Sequence, residues 1–238
     1  MKNQARPADE SKPYKLYRGD VLANITLVKD ESVDLIYTDL PFGANISEMS
    51  HHSGGIGYSD SHEEIVNLIS PLMVEAFRIL RMNRYAVFFF GFNYYRHLVD
   101  ALWNAGFQAN QIPFIWLKNT RNTEDPNSRY GTAYDPALVC MKGSAKFIKP
   151  GQQNILQAAP LTNKVQVAQQ PIEVPTRFIL DMTAENAVVA DLTAGTGTTG
   201  EAALRLKRYP ILFEENNQLC DYIQGRLDSL KCEPNKKS

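Results

Sequence analysis

Short apolar runs alternate along this chain with stretches of helical periodicity, and few folds accommodate that alternation. Val33–Thr38 reads as a buried strand ending at Asp39, and Tyr85–Gly91 as a second. Between them Glu63–Met82 carries Ile65, Leu68, Ile69, Leu72, Met73 and Ala76 at helical spacing. A helix over Tyr94–Ala105 stops at Gly106, and strands follow at Ile112–Leu117 and Pro136–Met141. Glu173–Met182 reads as a helix, Ala187–Leu192 as a strand, Thr198–Leu206 as a helix, Pro210–Phe213 as a strand and Asn217–Leu230 as the last helix. Sheets covered by helices on both faces leave this signature, so the expected class is α/β with a mostly parallel, twisted sheet.

The 238 residues suffice for one large α/β domain or two small ones. No internal repeat or low-complexity tract divides them. The economical reading is one domain over residues 14–232, with tails at 1–13 and 233–238 and polar loops at 43–62 and 118–134. A hydrophobic share of 44%, with 11 Phe and 11 Tyr, excludes a disordered chain. Cys140, Cys220 and Cys232 are too scattered for a disulfide framework or a zinc site. No apolar run reaches the roughly 18 residues of a membrane span, and the polar start lacks the apolar core of a signal peptide. A reduced, cytoplasmic protein without a membrane partner is therefore expected.

Charge divides the chain more than its total suggests. With 25 Lys and Arg against 26 Asp and Glu, bulk electrostatics cannot coat nucleic acid. Yet Phe77–Val99 holds Arg78, Arg81, Arg84, Arg96 and His97 and no acid, whereas Asp181–Tyr222 holds seven acids against Arg205, Lys207 and Arg208. These are either ordinary solvated faces or a basic middle that meets phosphate beside an acidic end that does not.

The chemistry-bearing segments follow strands. Asp191-Leu192-Thr193-Ala194-Gly195-Thr196-Gly197-Thr198-Thr199-Gly200 joins a strand to a helix. Its glycines allow close backbone approach to a ligand, and the helix start offers unpaired N–H groups. Glu214 ends the next strand, placed to accept ribose hydroxyls. The spacing G-x-G-x-x-G also fits a dinucleotide, so by itself it indicates a nucleoside-containing cofactor without choosing one. A dinucleotide domain opens with this unit, whereas here only one strand and one helix follow. Asp191 also suits a cationic ligand, which S-adenosylmethionine is and NAD is not. The second segment, Thr38-Asp39-Leu40-Pro41-Phe42-Gly43, lies at a strand's carboxyl end, where open α/β sheets bind ligands.

Together these segments resemble the amino-group DNA methyltransferases, N6-adenine and N4-cytosine, in the permuted order with the catalytic motif first. Asp39-Leu40-Pro41-Phe42 is similar to that family's [DNS]-P-P-[YFW], and Asp191 through Thr199 to its D-P-F-A-G-S-G-T-T. Tyr17-Arg18-Gly19-Asp20 resembles the opening G-D, Gln169-Gln170-Pro171-Ile172-Glu173 the K-P-x-E, and Tyr134 through Gly143 the penultimate strand. The likeness runs over residues 14–231. Leu40 replaces a proline, Phe42 the commoner tyrosine, Gln170 a lysine and Leu192-Thr193 the usual Pro-Phe.

The resemblance implies a Rossmann-like methyltransferase fold with S-adenosyl-L-methionine as cofactor and DNA as partner. It implies a cofactor site of Asp20, Val21, Asp191, Thr193, Ala194, Gly195, Thr196, Gly197, Thr198 and Glu214. Asp39, Leu40, Pro41 and Phe42 would form the catalytic site, where a base extruded from the duplex stacks on Phe42 and donates its amine to the Asp39 carboxylate and the Leu40 carbonyl. Direct in-line transfer needs no metal, and His51, His52 and His62 are not read as ligands. Lys118, Arg121 and Arg129 are candidates for phosphate contact. Asp39 at the first motif position favours adenine N6. The competing expectations are N4-cytosine or RNA substrates, a DNA-binding or regulatory protein that has lost catalysis, and an NAD-dependent oxidoreductase. Little chain is left for target recognition, so a short or loosely read DNA site is expected. Homodimerisation and the setting, restriction–modification included, stay open.

Overall fold

The computed structural model describes residues 11–41, 62–122, 127–128, 130–162, 164–166 and 169–230. In chain order the strands are β1 Lys15–Arg18, β2 Val33–Asp39, β3 Leu80–Phe89, β4 Gln108–Ala109, β5 Phe114–Asn122, β6 Thr132–Lys142, β7 Ile155–Gln157, β8 Val188–Asp191 and β9 Tyr209–Glu214. The helices are α1 Val21–Asn24, α2 His62–Ile79, α3 Tyr95–Ala105, α4 Glu173–Met182, α5 Thr198–Arg205 and α6 Asn217–Ser229.

Six consecutive residues of β2, Val33–Thr38, are buried, because β2 is flanked by parallel partners β8 and β3 and covered on both faces. The sheet runs β1-β9-β8-β2-β3-β6-β5-β7, with β4 paired to β6. Its β1-to-β3 half is parallel, and β6 runs antiparallel to both β3 and β5. Alternation along β3 sends Ala86 and Phe88, and Phe90 just beyond it, into one core with Leu72 and Met73 of α2 and Leu98 and Leu102 of α3. Tyr85, Val87 and Phe89 enter a second core with Val174, Phe178 and Ile179 of α4. The expected α/β architecture is therefore present, as a mixed sheet.

Several boundaries differ from expectation for identifiable reasons. Helix α2 ends at Ile79 rather than Met82, and β3 begins at once with Leu80 opposite Val33. The strand then bulges before Tyr85 pairs with Leu35, with Asn83 at φ 60°. The polar segment 118–134 is not wholly loop: β5 continues to Asn122 and β6 begins at Thr132, paired across a second bulge. Strand β1 and the short β4 and β7 are additional. Residues 11–13 are not free tail, since Lys12 Nζ lies 2.7 Å from Asp228 of α6. Residues 1–10, most of the 43–62 loop, and 231–238, including Cys232, lie outside the described residues.

The basic middle is put to structural use. Arg81 and Arg84 meet the buried Asp34 at 2.8 and 3.2 Å. Arg78 holds Asp30 at 2.5 Å and donates to the carbonyls of Ile25 and Val28, 2.8 Å each. All three sit at the amino-terminal end of β2. Five residues of strand rise, roughly 17 Å, separate Asp34 from Asp39. The parallel pairing of β2 with β3 places these three at the end of the strands opposite Asp39.

Candidate active site

Four neighbouring strands end in acids along one edge of the sheet. Asp20 follows β1, Glu214 ends β9, Asp191 ends β8 and Asp39 ends β2, in that spatial order. At about 4.8 Å per strand the row spans about 14 Å. All four line one cavity of about 540 Å³, within the roughly 300–1,000 Å³ usual for small-molecule sites. Its walls include Ile65 and Leu68 of α2, Phe213, and Gln166, Gln169 and Gln170.

Each acid is held differently. Asp20 is exposed and caps α1, accepting the Ala23 N–H at 2.9 Å. Glu214 accepts the N–H groups of Gly195 and Asn216, both at 2.8 Å. Burial still outweighs those donors and pushes its carboxyl up to about 7. Asp191 is 3% exposed and accepts Thr193 N–H at 3.2 Å. Its burial, opposed by the Thr199 hydroxyl and the Thr193 amide, pushes it up to about 6. Asp39 has a buried Oδ1 with no hydrogen-bond partner. Desolvation first, then the charges of Asp135 and Asp191, raise its carboxyl well above the usual range, against the pull of Lys118 and Gln170. Carboxyls in this state release their protons when a cation or hydrogen-bond donor arrives.

The glycine loop is built to lie close to this row. Gly195 has φ 54°, and a Cβ there would stand 2.7 Å from Gln166 Oε1. Thr193 Oγ1 donates to the Asp39 carbonyl at 2.8 Å, and Leu192 N–H to Thr38 Oγ1 at 3.2 Å, so the loop is tied to β2. Arg226 of α6 braces it from behind, donating to the Thr196 carbonyl at 3.0 Å and to Thr198 Oγ1 at 3.2 Å.

Of the residues read from sequence, Asp20, Val21, Asp39, Pro41, Asp191, Thr193, Ala194, Gly195, Thr196, Thr198 and Glu214 line the cavity. Gly197 does not; it starts α5 with φ 76°, and a Cβ there would meet Ile223 at 3.0 Å. Leu40 turns its side chain into the core, 2% exposed, and its N–H bonds the Phe89 carbonyl at 3.1 Å. That bond is closed to the proline it replaces, so Leu40 recovers by pairing some of the rigidity a proline ring would supply. Phe42, His51, His52 and Arg129 lie outside the described residues, as does the Arg121 side chain. His62 stacks on Tyr94 with ring centres 5.4 Å apart. Lys118 pairs with Asp135 at 2.6 Å and lies 4.9 Å over the Trp116 ring.

Sequence reading missed Asp135, Tyr37 and the amide side chains of Gln166 and Gln169, and saw Gln170 only as a departure from lysine. Gln170 Oε1 accepts the Tyr37 hydroxyl, and its Nε2 is buried without a partner. The only available signal was position, since Tyr37 lies two residues before Asp39 on β2.

Comparison with known proteins agrees with this geometry. A family described as DNA methylase, N6_N4_Mtase, matches residues 33–225. YubD of Escherichia coli (strain K12), which carries a methylase name, is 23% identical over 218 residues, covering 91% of each chain. The type II methyltransferase M.HinfI of Haemophilus influenzae is 23% identical over 257 residues, covering 92% of this chain and 70% of its own. Among solved structures, the cytosine-N4-specific PvuII DNA methyltransferase superposes with TM-score 0.73 at 18% identity, covering 99% of this chain and 92% of its own. M1.HpyAVI in complex with SAM superposes with TM-score 0.65 at 22% identity, covering 90% and 98%. Among the described residues no helix is long and apolar enough to cross a membrane. The acid row, the glycine loop and the match over residues 33–225 converge on one assignment: this chain belongs to the N6/N4 DNA methylase family.

Proposed function

We propose that this chain transfers a methyl group from S-adenosylmethionine to the exocyclic N6 of an adenine extruded from DNA. The observation that carries the reading is the buried, unpartnered Oδ1 of Asp39 beside a glycine loop and three further acids in one cavity. The residues fit the cofactor. Asp20, Glu214 and Asp191 offer acceptors for an amine, ribose hydroxyls and a cationic centre, and two of them carry raised pKa values that a cation would lower. When bound, the cofactor supplies an electrophilic methyl group on a sulfonium.

The target amine is a poor nucleophile because its lone pair is delocalised into the ring. Asp39 accepts one of its N–H bonds, and the resemblance assigns the other to the Leu40 carbonyl. The nitrogen then pyramidalises and its lone pair leaves conjugation. Transfer of the sulfonium's methyl group to this nitrogen would leave the nitrogen cationic, and it would then shed a proton. Asp39 in its ionised form, which burial makes more basic than an ordinary carboxylate, is the acceptor at hand. Ile65 and Leu68 of α2 supply apolar wall that excludes water. Asp39 at the first motif position supports adenine; cytosine presents a chemically similar amine and is the second reading. Residues 14–232 are proposed to act as one methyltransferase unit.

The test is transfer of labelled methyl from S-adenosylmethionine to unmethylated plasmid DNA, followed by nucleoside mass spectrometry. N6-methyladenine is expected, and Asp39→Ala is expected to lower transfer about 100- to 1,000-fold, on the order of losing one preorganised electrostatic contact to the reacting centre. N4-methylcytosine would replace the adenine reading, and no transfer across a broad DNA panel would overturn both.

A further inference from the structure

A second buried polar atom in the cavity has no partner: Nε2 of Gln170. The side chain is 7% exposed. Its orientation is set by Tyr37, whose hydroxyl donates to Oε1. Tyr37 is itself wedged between Phe89 and Phe178, with ring centres 5.7 and 5.6 Å away. In this placement the carbonyl accepts the hydroxyl and the NH2 group faces Asp39. Gln170 faces Asp39 as a hydrogen-bond donor that lowers its pKa, but not in full hydrogen-bond geometry, and neither Oδ1 of Asp39 nor Nε2 of Gln170 has another partner. A buried orphan donor costs about 1–3 kcal/mol, and so does a buried orphan acceptor. Two side by side in one cavity wall point to a ligand that satisfies both.

We infer that Gln170 reads the target base, its Nε2 donating to the ring nitrogen adjacent to the amine that Asp39 accepts. A donor beside an acceptor complements an amidine edge, a ring nitrogen next to an exocyclic N–H. Adenine presents it as N1 and N6, and cytosine as N3 and N4. Guanine and thymine present a carbonyl oxygen where Asp39 expects a donor and a ring N–H where Gln170 offers one, so both contacts become repulsive. The pair thus selects amino bases over oxo bases before any methyl moves. This inference rests on the methyl-transfer reading above.

The test uses the full chain and duplex oligonucleotides carrying the site mapped by sequencing the methylated plasmid. The target position holds either adenine or 1-deazaadenine, whose N1 is replaced by C–H. Should the mapped base be cytosine, 3-deazacytosine is the partner probe. Deaza substitution is expected to lower the wild-type kcat/KM about 10-fold, the scale of one buried hydrogen bond. Gln170→Met is expected to lower kcat/KM on the normal base by a similar factor, to leave the KM for S-adenosylmethionine unchanged, and to show no further loss on the deaza base. Tyr37→Phe, which frees the amide to rotate, is expected to move the same way by a smaller factor and serves should Gln170→Met not fold. A full deaza penalty persisting in the variants, or a raised cofactor KM with the deaza penalty intact, overturns the inference while leaving methyl transfer standing. No wild-type transfer to the normal base overturns the methyl-transfer reading and this inference with it.

Discussion

Replacing Glu214 with glutamine should change the slope of stability against pH, and the structure sets the size of that change. In the folded protein the Glu214 carboxyl is pushed from 4.5 up to about 7, chiefly by burial. In the unfolded chain it returns to the usual range. Between those two values the folded state holds a proton that the unfolded state has lost, so stability falls as pH rises. The favourable contribution is complete below about pH 4.5 and gone above about pH 7. The 2.5-unit gap corresponds to about 3 kcal/mol at 1.36 kcal/mol per unit.

Glutamine does not titrate, so that slope disappears from the variant. It carries a cost of its own that does not depend on pH. Gly195 N–H and Asn216 N–H each point at a different carboxylate oxygen, and an amide must turn its NH2 group toward one of them, at about 1–3 kcal/mol. At pH 5 the Glu214→Gln protein should therefore be less stable than wild type by roughly that amount. By pH 8 the deficit should be erased or reversed. Urea unfolding of the cofactor-free proteins at 25 °C between pH 5 and 8 measures both curves. Parallel curves, with a constant difference across that range, would refute the reasoning, because Asp191 titrates in both proteins and cannot conceal a missing Glu214 slope.

Other consequences are open to direct measurement. Binding of S-adenosylmethionine at pH 6.5 should release protons, since Asp191 at about 6 and Glu214 at about 7 are partly protonated there; calorimetry in buffers of different ionisation enthalpy detects this, and buffer-independent heats would exclude it. Affinity should accordingly tighten from pH 6 to 8. Leu40→Pro, which restores the commoner motif residue, removes the Leu40 N–H to Phe89 carbonyl bond and should cost about 1–3 kcal/mol without raising transfer; a stable, faster variant would mean that proline's rigidity matters more than the bond. The double change Arg81→Gln and Arg84→Gln leaves the Asp34 carboxylate, among the described residues, the Val188 N–H as its partner. Both arginines are nearly half exposed, so screening limits the loss to about 1–2 kcal/mol. The slope of DNA affinity against salt should not change, and a reduced slope would return these arginines to the DNA surface.

What could be read from the chain, and what could not, divides along physical lines. Strand β2 and its terminal Asp39 were legible because a run such as Val33–Thr38 fits a strand buried on both faces. The glycine loop was legible because backbone demands are written in residue type, and Gly195 and Gly197 do adopt positive φ. Polar partners across the sheet left no such trace. Lys118 and Asp135 meet only because β5 and β6 fold back on each other, and their strand ends are as polar as a loop. Gln170 carries no charge and no periodicity, and its significance exists only beside Tyr37 and Asp39 in space. The place of the arginines of Phe77–Val99 was not legible because a sequence does not say at which end of a strand a charge lies; the register of Leu80 against Val33 does.

The same limit governs the acid row, and there topology decides the chemistry. Along the chain the order is Asp20, Asp39, Asp191, Glu214, which makes Asp20 and Asp39 nearest neighbours. Across the sheet it is Asp20, Glu214, Asp191, Asp39, because β9 and β8 insert between β1 and β2. The two acids closest in sequence therefore stand at opposite ends of a row of about 14 Å. In the proposed reaction this separation is what allows three acids to serve one elongated cofactor while the fourth is left for the base. Were β1 paired directly with β2, Asp20 would stand about 4.8 Å from Asp39. A ligand held by both would then occupy the place where the methyl acceptor has to stand.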